Sequence, residues 1–326
     1  MKPMRYLITI LFFMALTFDS YALRIKVGVL APEGTSWSNN LKKLAKEIKK
    51  ATDGKVKIKY YFGGAQGDEE DVLRKIRVGQ LQGGVFTGKT LGEIYPDFRA
   101  LEIPFNFKGD RELAKKTLAE VEKRMTEGFT SKGFANLGLT EIGSVYFVSK
   151  KPIRNLGGLK GLKIWSWQGD KLVDHFIDEM NLVGVPLSLP DVLSSLTTGI
   201  IEAAYAPPLA ILALQWNTKV KYLVDFPLTY SFGAFLISQK AFKKISPEHQ
   251  KKIIEISKKY IQNINDENHK ANTESLAALK SSGIEFIKFP QKDIEEAIKV
   301  RGKLIKRMQG KMISKEMINF VESKRK

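Results

Sequence analysis

Four tryptophans are the residues in this 326-residue chain whose type and placement point to chemistry. Trp37 follows a Pro/Gly loop, Trp165 and Trp167 flank Ser166 ahead of Gln168-Gly169-Asp170, and Trp216 stands a helical turn beyond Pro207-Pro208. The surrounding hydrophobic pattern puts each at or near a loop that follows a strand. In open α/β sheets those loops form the ligand crevice. One indole is more often a core or hinge residue; four at such positions suit the apolar, aromatic wall of a small-molecule pocket. Covalent chemistry is poorly supplied. The absence of cysteine removes thiol catalysis, disulfides and Cys-ligated zinc. His175, His249 and His269 are far apart in sequence, so a multi-His metal site is not expected, and His175 beside Asp174 reads as structural. There is no GxSxG, HExxH or P-loop lysine motif, and Gly63-Gly64-Ala65-Gln66-Gly67 lacks the phosphate-loop spacing. Asp68-Glu69-Glu70-Asp71 lacks calcium-loop spacing and reads as a helix N-terminus, where the dipole favours acids.

The elements that must position the tryptophans are legible as alternating patterns. Arg24 to Leu30 alternates as a strand. A helix from Trp37 to Ala51 carries Leu41, Leu44, Ala45 and Ile48 on one face and stops at Asp53-Gly54. Val56–Phe62 is a second strand, the acids from Asp68 open a second helix, and Leu81–Gly88 holds a third strand. This β-α-β-α-β run is the unit of a parallel sheet. A second α/β unit follows. Strands are expected over Phe134–Leu139, Ser144–Ser149, Leu162–Trp165, Val185–Leu187 and Ile201–Tyr205, and helices over Lys171–Met180 and Pro190–Thr197. Glu248 to Ser282 contains neither Gly nor Pro. With Ser246 as N-cap, Pro247 in the first turn and Gly283 as the stop, it reads as one long helix of about 50 Å crossing both units. A pair of helices meeting near Asn263–Asn268 is the alternative. A strand-like Ile284–Phe289 and two Lys-rich amphipathic helices close the chain.

A length of 326 residues suits two domains, and 43% hydrophobic with 27% charged residues supports packed cores. The net charge of +18 comes mostly from lysines spread along helix-like stretches such as LKKLAKEIKK. Lysines so placed make solvated faces, and no nucleic-acid reading motif accompanies them. Residues 1–22 read as a secretory signal peptide: Lys2 and Arg5, an apolar run of about a dozen residues, then Ser20-Tyr21-Ala22. That run is too short for a spanning helix, which needs about twenty residues. The mature chain is expected to be exported to a bacterial periplasm without stable membrane insertion.

Five blocks give the sequence a family resemblance: GGAQGDEEDVLRKIRVGQLQGGVFTG, LGEIYPDFRALEIPFNFKGDRELAKK, SKKPIRNLGGLKGLKIWSW, DVLSSLTTGIIEAAYAPP and FLISQKAFKKISPEHQKKI. In their order and spacing, from about Leu23 to Val321, the chain resembles the DctP-like substrate-binding proteins of tripartite ATP-independent periplasmic (TRAP) transporters. The resemblance implies an α/β, two-lobed periplasmic binding protein fold with an interlobe cleft, crossing strands and a long domain-spanning helix. The expected division is 23–145 with 232–270 as lobe I, and 146–231 with 271–326 as lobe II. It implies a small organic ligand, TRAP membrane permease subunits as partners, no cofactor, no metal and no enzyme activity.

One departure bears on the ligand. Where most of the family carries an arginine that clamps the substrate carboxylate, this chain has Trp165. An arginine fork gives two charge-assisted hydrogen bonds; an indole gives one N–H and an apolar face. The family's usual asparagine is also replaced, around Tyr205-Ala206-Pro207. The expectation is therefore an apolar, aromatic or neutral ligand in place of a C4-dicarboxylate. Trp165, Trp167 and Tyr205 would wall it, with Trp37, Thr87, Phe105 and Pro207 contributing. Arg99 and Lys108 are the candidates for a substitute cation. A periplasmic sensor or carrier of the same fold is the alternative, and a secreted α/β hydrolase would need a nucleophile and base that the sequence does not offer.

Overall fold

A computed structural model describes residues 22–325; the expected leader, apart from Ala22, lies outside the described residues. Strand β1 (Leu23–Val29) buries Ile25 and Val27 completely. Helix α1 (Ser36–Ala51) begins where the Thr35 hydroxyl accepts from Ser38 N, and it lays Leu41, Leu44 and Ile48 on the sheet. Strand β2 (Val56–Tyr61) runs parallel to β1 on one side. The four acids open α2 (Glu69–Arg77) through a reciprocal cap between Asp68 and Asp71, and β3 (Gly83–Thr87) then runs parallel to β1 on its other side. The β-α-β-α-β expectation holds for this unit. It continues into α3 (Gly88–Ile94), a 3₁₀ turn (Pro96–Glu102) and α4 (Arg111–Ser131).

Strand β4 (Phe134–Ser149) is one 16-residue strand where the sequence pattern reads two. Its register shifts twice, between Asn136 and Gly138 and between Glu141 and Gly143. Each extra residue flips which side chains face the core, so the alternation breaks although the strand does not. The second unit follows: β5 (Lys163–Trp167), α5 (Lys171–Glu179), β6 (Val183–Leu187), α6 (Val192–Thr198), β7 (Ala203–Ala206), α7 (Pro208–Ala213) and β8 (Tyr222–Val224). Strand β9 (Thr229–Ser238), which the residue pattern alone does not reveal, inserts antiparallel between β3 and β4. The strand order is β2-β1-β3-β9-β4-β7-β5-β6. Each half is parallel at its outer strands, and β4 and β9 join the halves as long antiparallel crossing strands.

After the short α8 (Gln239–Phe242), helix α9 (Pro247–Ser281) runs unbroken for 35 residues. The chain ends in β10 (Glu285–Ile287), parallel to β8, then α10 (Gln291–Met308) and α11 (Lys315–Lys324). Ile253, Ile261 and Ile264 of α9 enter the core around β1, while Leu279 enters the core around Trp165. The polar stretch at which two helices could have met has a different purpose. Asn268 Nδ2 donates to Glu141 O and Ile142 O at 2.6 and 3.0 Å, and Asn272 Nδ2 donates to Ile142 O at 2.9 Å. These side chains fasten the helix to carbonyls at the second β4 bulge. The same seam needs Gly143: its φ is +121°, and a Cβ there would stand 2.8 Å from Asn272 Nδ2.

Candidate ligand cleft

The C-terminal end of β5 places Trp165 against β7 and the turn after α7. Its ring stacks on Tyr205 (4.8 Å between centroids, 21°), tilts against Trp167 (5.5 Å) and meets Trp216 edge-on (5.4 Å). Trp165 is only 2% exposed, and its Nε1–H donates to Leu187 O at 3.0 Å. The indole donor is thus satisfied within the protein, and the ring contributes apolar surface. Trp167 N donates to the Tyr205 hydroxyl, which fixes the phenol beside the stack.

These rings line a cavity of about 180 Å³ together with Phe147, Phe176, Thr87, Lys89, Arg99 and Glu102. A neighbouring cavity of about 140 Å³ shares Thr87, Leu189 and Pro207 and extends to Trp37 and Glu69. The structure therefore brings Thr87, Trp165, Trp167, Tyr205 and Pro207 around the first cavity and Trp37 into the second. Trp216, the remaining tryptophan, is also in the first wall. Phe105 is a correction: it lines neither cavity. Its backbone is left-handed (φ 64°), its N–H is tied to Leu228 O, and its ring is buried against Phe226 and Phe176. Lys108 is an exposed left-handed turn residue away from the cavities, so it supplies no substitute cation.

Arg99 does reach the first cavity, but its charge is committed. Its Nη2 donates to both oxygens of Asp170, at 2.7 and 2.9 Å, and its Nη1 donates to Glu102. All three side chains are more than nine-tenths buried. Burial works against the guanidinium charge, yet the two carboxylates outweigh it and hold the proton more firmly than usual. Burial pushes Glu102 upward, with Arg99 opposing. Lys89, the other cation on the lining, bonds Glu70 at 2.9 Å and lies 5.4 Å from the Trp167 ring centre. Asp68 ties the two sides together, since its Oδ2 accepts from Trp167 Nε1 at 3.0 Å and from Leu189 N at 3.2 Å. Glu102 is three residues from Arg99, a local pair, but the sequence alone gave no sign of the Asp170 contact, which is made by topology across 71 residues.

Glu69 is the titrating group of the second cavity. It accepts from Thr87 N and Oγ1 at 2.8 and 3.1 Å, and burial pushes its carboxyl up to about 7. The folded state then holds this proton over pH values at which the unfolded chain has released it. Stability from this group therefore falls as pH rises from about 4.5 to 7, by about 3 kcal/mol in all. Glu69→Gln is expected to raise the unfolding free energy by about 1–3 kcal/mol at pH 8 and to leave it unchanged at pH 4. Urea unfolding at the two pH values measures this, and an equal effect at both would refute it.

Two α/β halves linked by crossing strands, with a walled gap between them and a helix spanning both, define the two-lobed class of ligand-capturing proteins. Residues 27–311 match the bacterial extracellular solute-binding protein family 7, and the chain belongs to that family, the DctP-type proteins of TRAP transport. It is similar to a TRAP periplasmic solute-binding protein of Desulfovibrio salexigens with bound orotic acid (TM-score 0.84, 19% identity, 93% of this chain and 98% of that one). It is also similar to a Bordetella pertussis extracytoplasmic solute receptor binding pyroglutamic acid (TM-score 0.86, 19% identity, 94% and 100%). The C4-dicarboxylate-binding periplasmic protein of Rhodobacter capsulatus is 22% identical over 263 residues, 78% of this chain and 76% of that protein. Among the described residues no helix is long and apolar enough to cross a membrane.

Proposed function

We propose that this protein captures a small, largely apolar and uncharged organic molecule between its lobes and delivers it to the membrane permease of a TRAP-type transporter after export to the periplasm. Binding is the whole of its chemistry. Lobe I would comprise 23–145 and 232–270, and lobe II 146–231 and 271–326. Trp165, Trp167 and Tyr205 would form the principal wall, with Thr87, Pro207 and Trp37 completing it. The observation that carries this reading is the state of the cations: among the described residues the first cavity is lined by two basic side chains, Lys89 and Arg99, and each is already bonded to a carboxylate of the protein. A ligand carboxylate placed there would be buried without a free counter-charge, which costs several kcal/mol.

A second reading is an organic acid, and the relatives favour it. The two structures compared carry orotic acid and pyroglutamic acid, and the Rhodobacter protein is named for C4-dicarboxylates. These names run against a neutral ligand, and Arg99 at the cavity is the residue through which an acid would be held. Mass spectrometry of molecules released by denaturing the protein purified from cells separates the readings, together with a tryptophan-fluorescence titration. The expected result is a neutral, ring-bearing or apolar molecule and no response to succinate at millimolar concentration. Tight succinate binding that Trp165→Ala leaves unchanged would overturn the proposal.

A further inference from the structure

We propose that Asp170 sets the specificity of the cleft by occupying, from within the protein, the guanidinium that a ligand carboxylate would need. The inference rests on the neutral-ligand reading and names the residue that enforces it. Arg99 and Asp170 come from opposite sides of the cleft, the first from the 3₁₀ turn after α3 and the second from the loop between β5 and α5. Neither can be recruited without disturbing a fixed set of bonds. Asp170 caps α5, with its Oδ1 accepting from Leu172 N at 3.1 Å and Val173 N at 3.3 Å as well as from Arg99. Glu102 is fixed on the other flank, accepting from Ser231 Oγ at 2.9 Å and Phe232 N at 2.8 Å.

The charge count gives the consequence. One guanidinium stands between two carboxylates, so the triad has no surplus positive charge to offer an anion. A ligand carboxylate arriving at Arg99 would meet like charge on both flanks, and like charges brought together in a desolvated site exclude the wrong partner more effectively than missing contacts do. The nearby Lys89 does not compensate, being paired with Glu70. With Asp170 neutral, the triad no longer carries excess negative charge and one flank ceases to repel an anion, so Arg99 Nη2 can be shared with a ligand carboxylate. The site then becomes competent for a small cyclic acid of the kind the relatives hold.

Asp170→Asn is the direct test, because an amide oxygen can still cap α5 while the charge is gone. Asp170→Ser is the second variant, preserving a cap with a shorter side chain. Orotate and pyroglutamate are the anionic probes. Uracil and 2-pyrrolidone, the same rings without the carboxylate, are the neutral ones. Isothermal titration calorimetry on each folded protein, verified by circular dichroism and cooperative urea unfolding, gives the affinities. At least one acid is expected to bind a variant about tenfold or more tightly than it binds the wild type, while the neutral rings change by less than about twofold. A gain shared equally by acids and neutral rings would mean a loosened cavity and would overturn the proposal, as would folded variants with no gain for either acid. The ratio of variant to wild-type affinity thus tests Asp170. The wild-type affinity for the acids separately tests the neutral-ligand reading, which fails if that affinity is already micromolar.

Discussion

Replacing Trp165 with alanine is expected to lower the unfolding free energy by about 3–5 kcal/mol, the range for truncating a fully buried large aromatic. The upper part of that range is expected for three reasons. The indole packs on three other aromatic rings, Tyr205, Trp167 and Trp216, and contacts of that geometry add to the area they bury. It adjoins the 180 Å³ cavity, so the space vacated merges with existing space and the wall has little to collapse onto. Leu187 O also loses its indole donor and is left with Gln168 N alone, at 3.1 Å. Trp165→Phe, which keeps a ring in the stack but not the donor, is expected to cost less than half as much. Urea unfolding of the three proteins measures both effects. A loss below about 1 kcal/mol for the alanine variant would mean that this ring does not organise the second-half wall.

The parts of the fold that the sequence revealed are those with uninterrupted local periodicity. Helix α1, the alternation of β1 and β2, and above all α9 follow from spacing and end signals, and Ser246, Pro247 and Gly283 mark α9 to within two residues of its observed ends. Failures came where backbone geometry breaks the period. β4 reads as two strands, Phe134–Leu139 and Ser144–Ser149, because the second bulge at Glu141–Gly143 falls in the gap between them; the first, at Gly138, lies inside the first expected strand. β9 reads as nothing in particular because, buried on both faces between two other strands, Phe232 to Ile237 is apolar without alternation. The asparagines of α9 resemble a helix break until their partners, the carbonyls of the second bulge, are known.

The candidate site divides along the same line. Trp165 and Trp167 stand out in the sequence by their position at a strand end, whereas Tyr205 comes into view only through the family resemblance; all three line the first cavity. The ionic part was not legible. Arg99 was recognisable only as a spare cation, since its meaning depends on Asp170, 71 residues away in sequence and 2.7 Å away in the fold. Phe105 was misplaced for the complementary reason: its ring direction is set by a left-handed backbone conformation that spacing does not report.

Arg99→Met is the sharper test of the ionic part. It leaves Asp170 and Glu102 buried with no counter-charge, and breaking a buried pair by removing one partner costs about 3–5 kcal/mol. That cost is expected near pH 8. Without the guanidinium, the burial that pushes the Glu102 carboxyl upward loses its main opposition, so that carboxyl would hold its proton to higher pH in the folded variant than in the folded wild type. The folded variant would then bind more protons, and its deficit relative to the wild type would shrink as pH falls toward 4. Ser231 and Phe232 hold Glu102 beside Arg99, so its carboxylate cannot turn away without losing those bonds. Adding Asp170→Asn to Arg99→Met removes one of the two stranded charges and is expected to restore a substantial part of the loss at pH 8, although Asp170→Asn alone weakens the ion pair. Urea unfolding of the wild type, both single variants and the double variant, at pH 5 and pH 8, yields the coupling energy. A coupling below about 0.5 kcal/mol, or a deficit independent of pH, would mean that Arg99 and Asp170 are neighbours without being electrostatic partners, and the closed ion triad would lose its place in both stability and specificity.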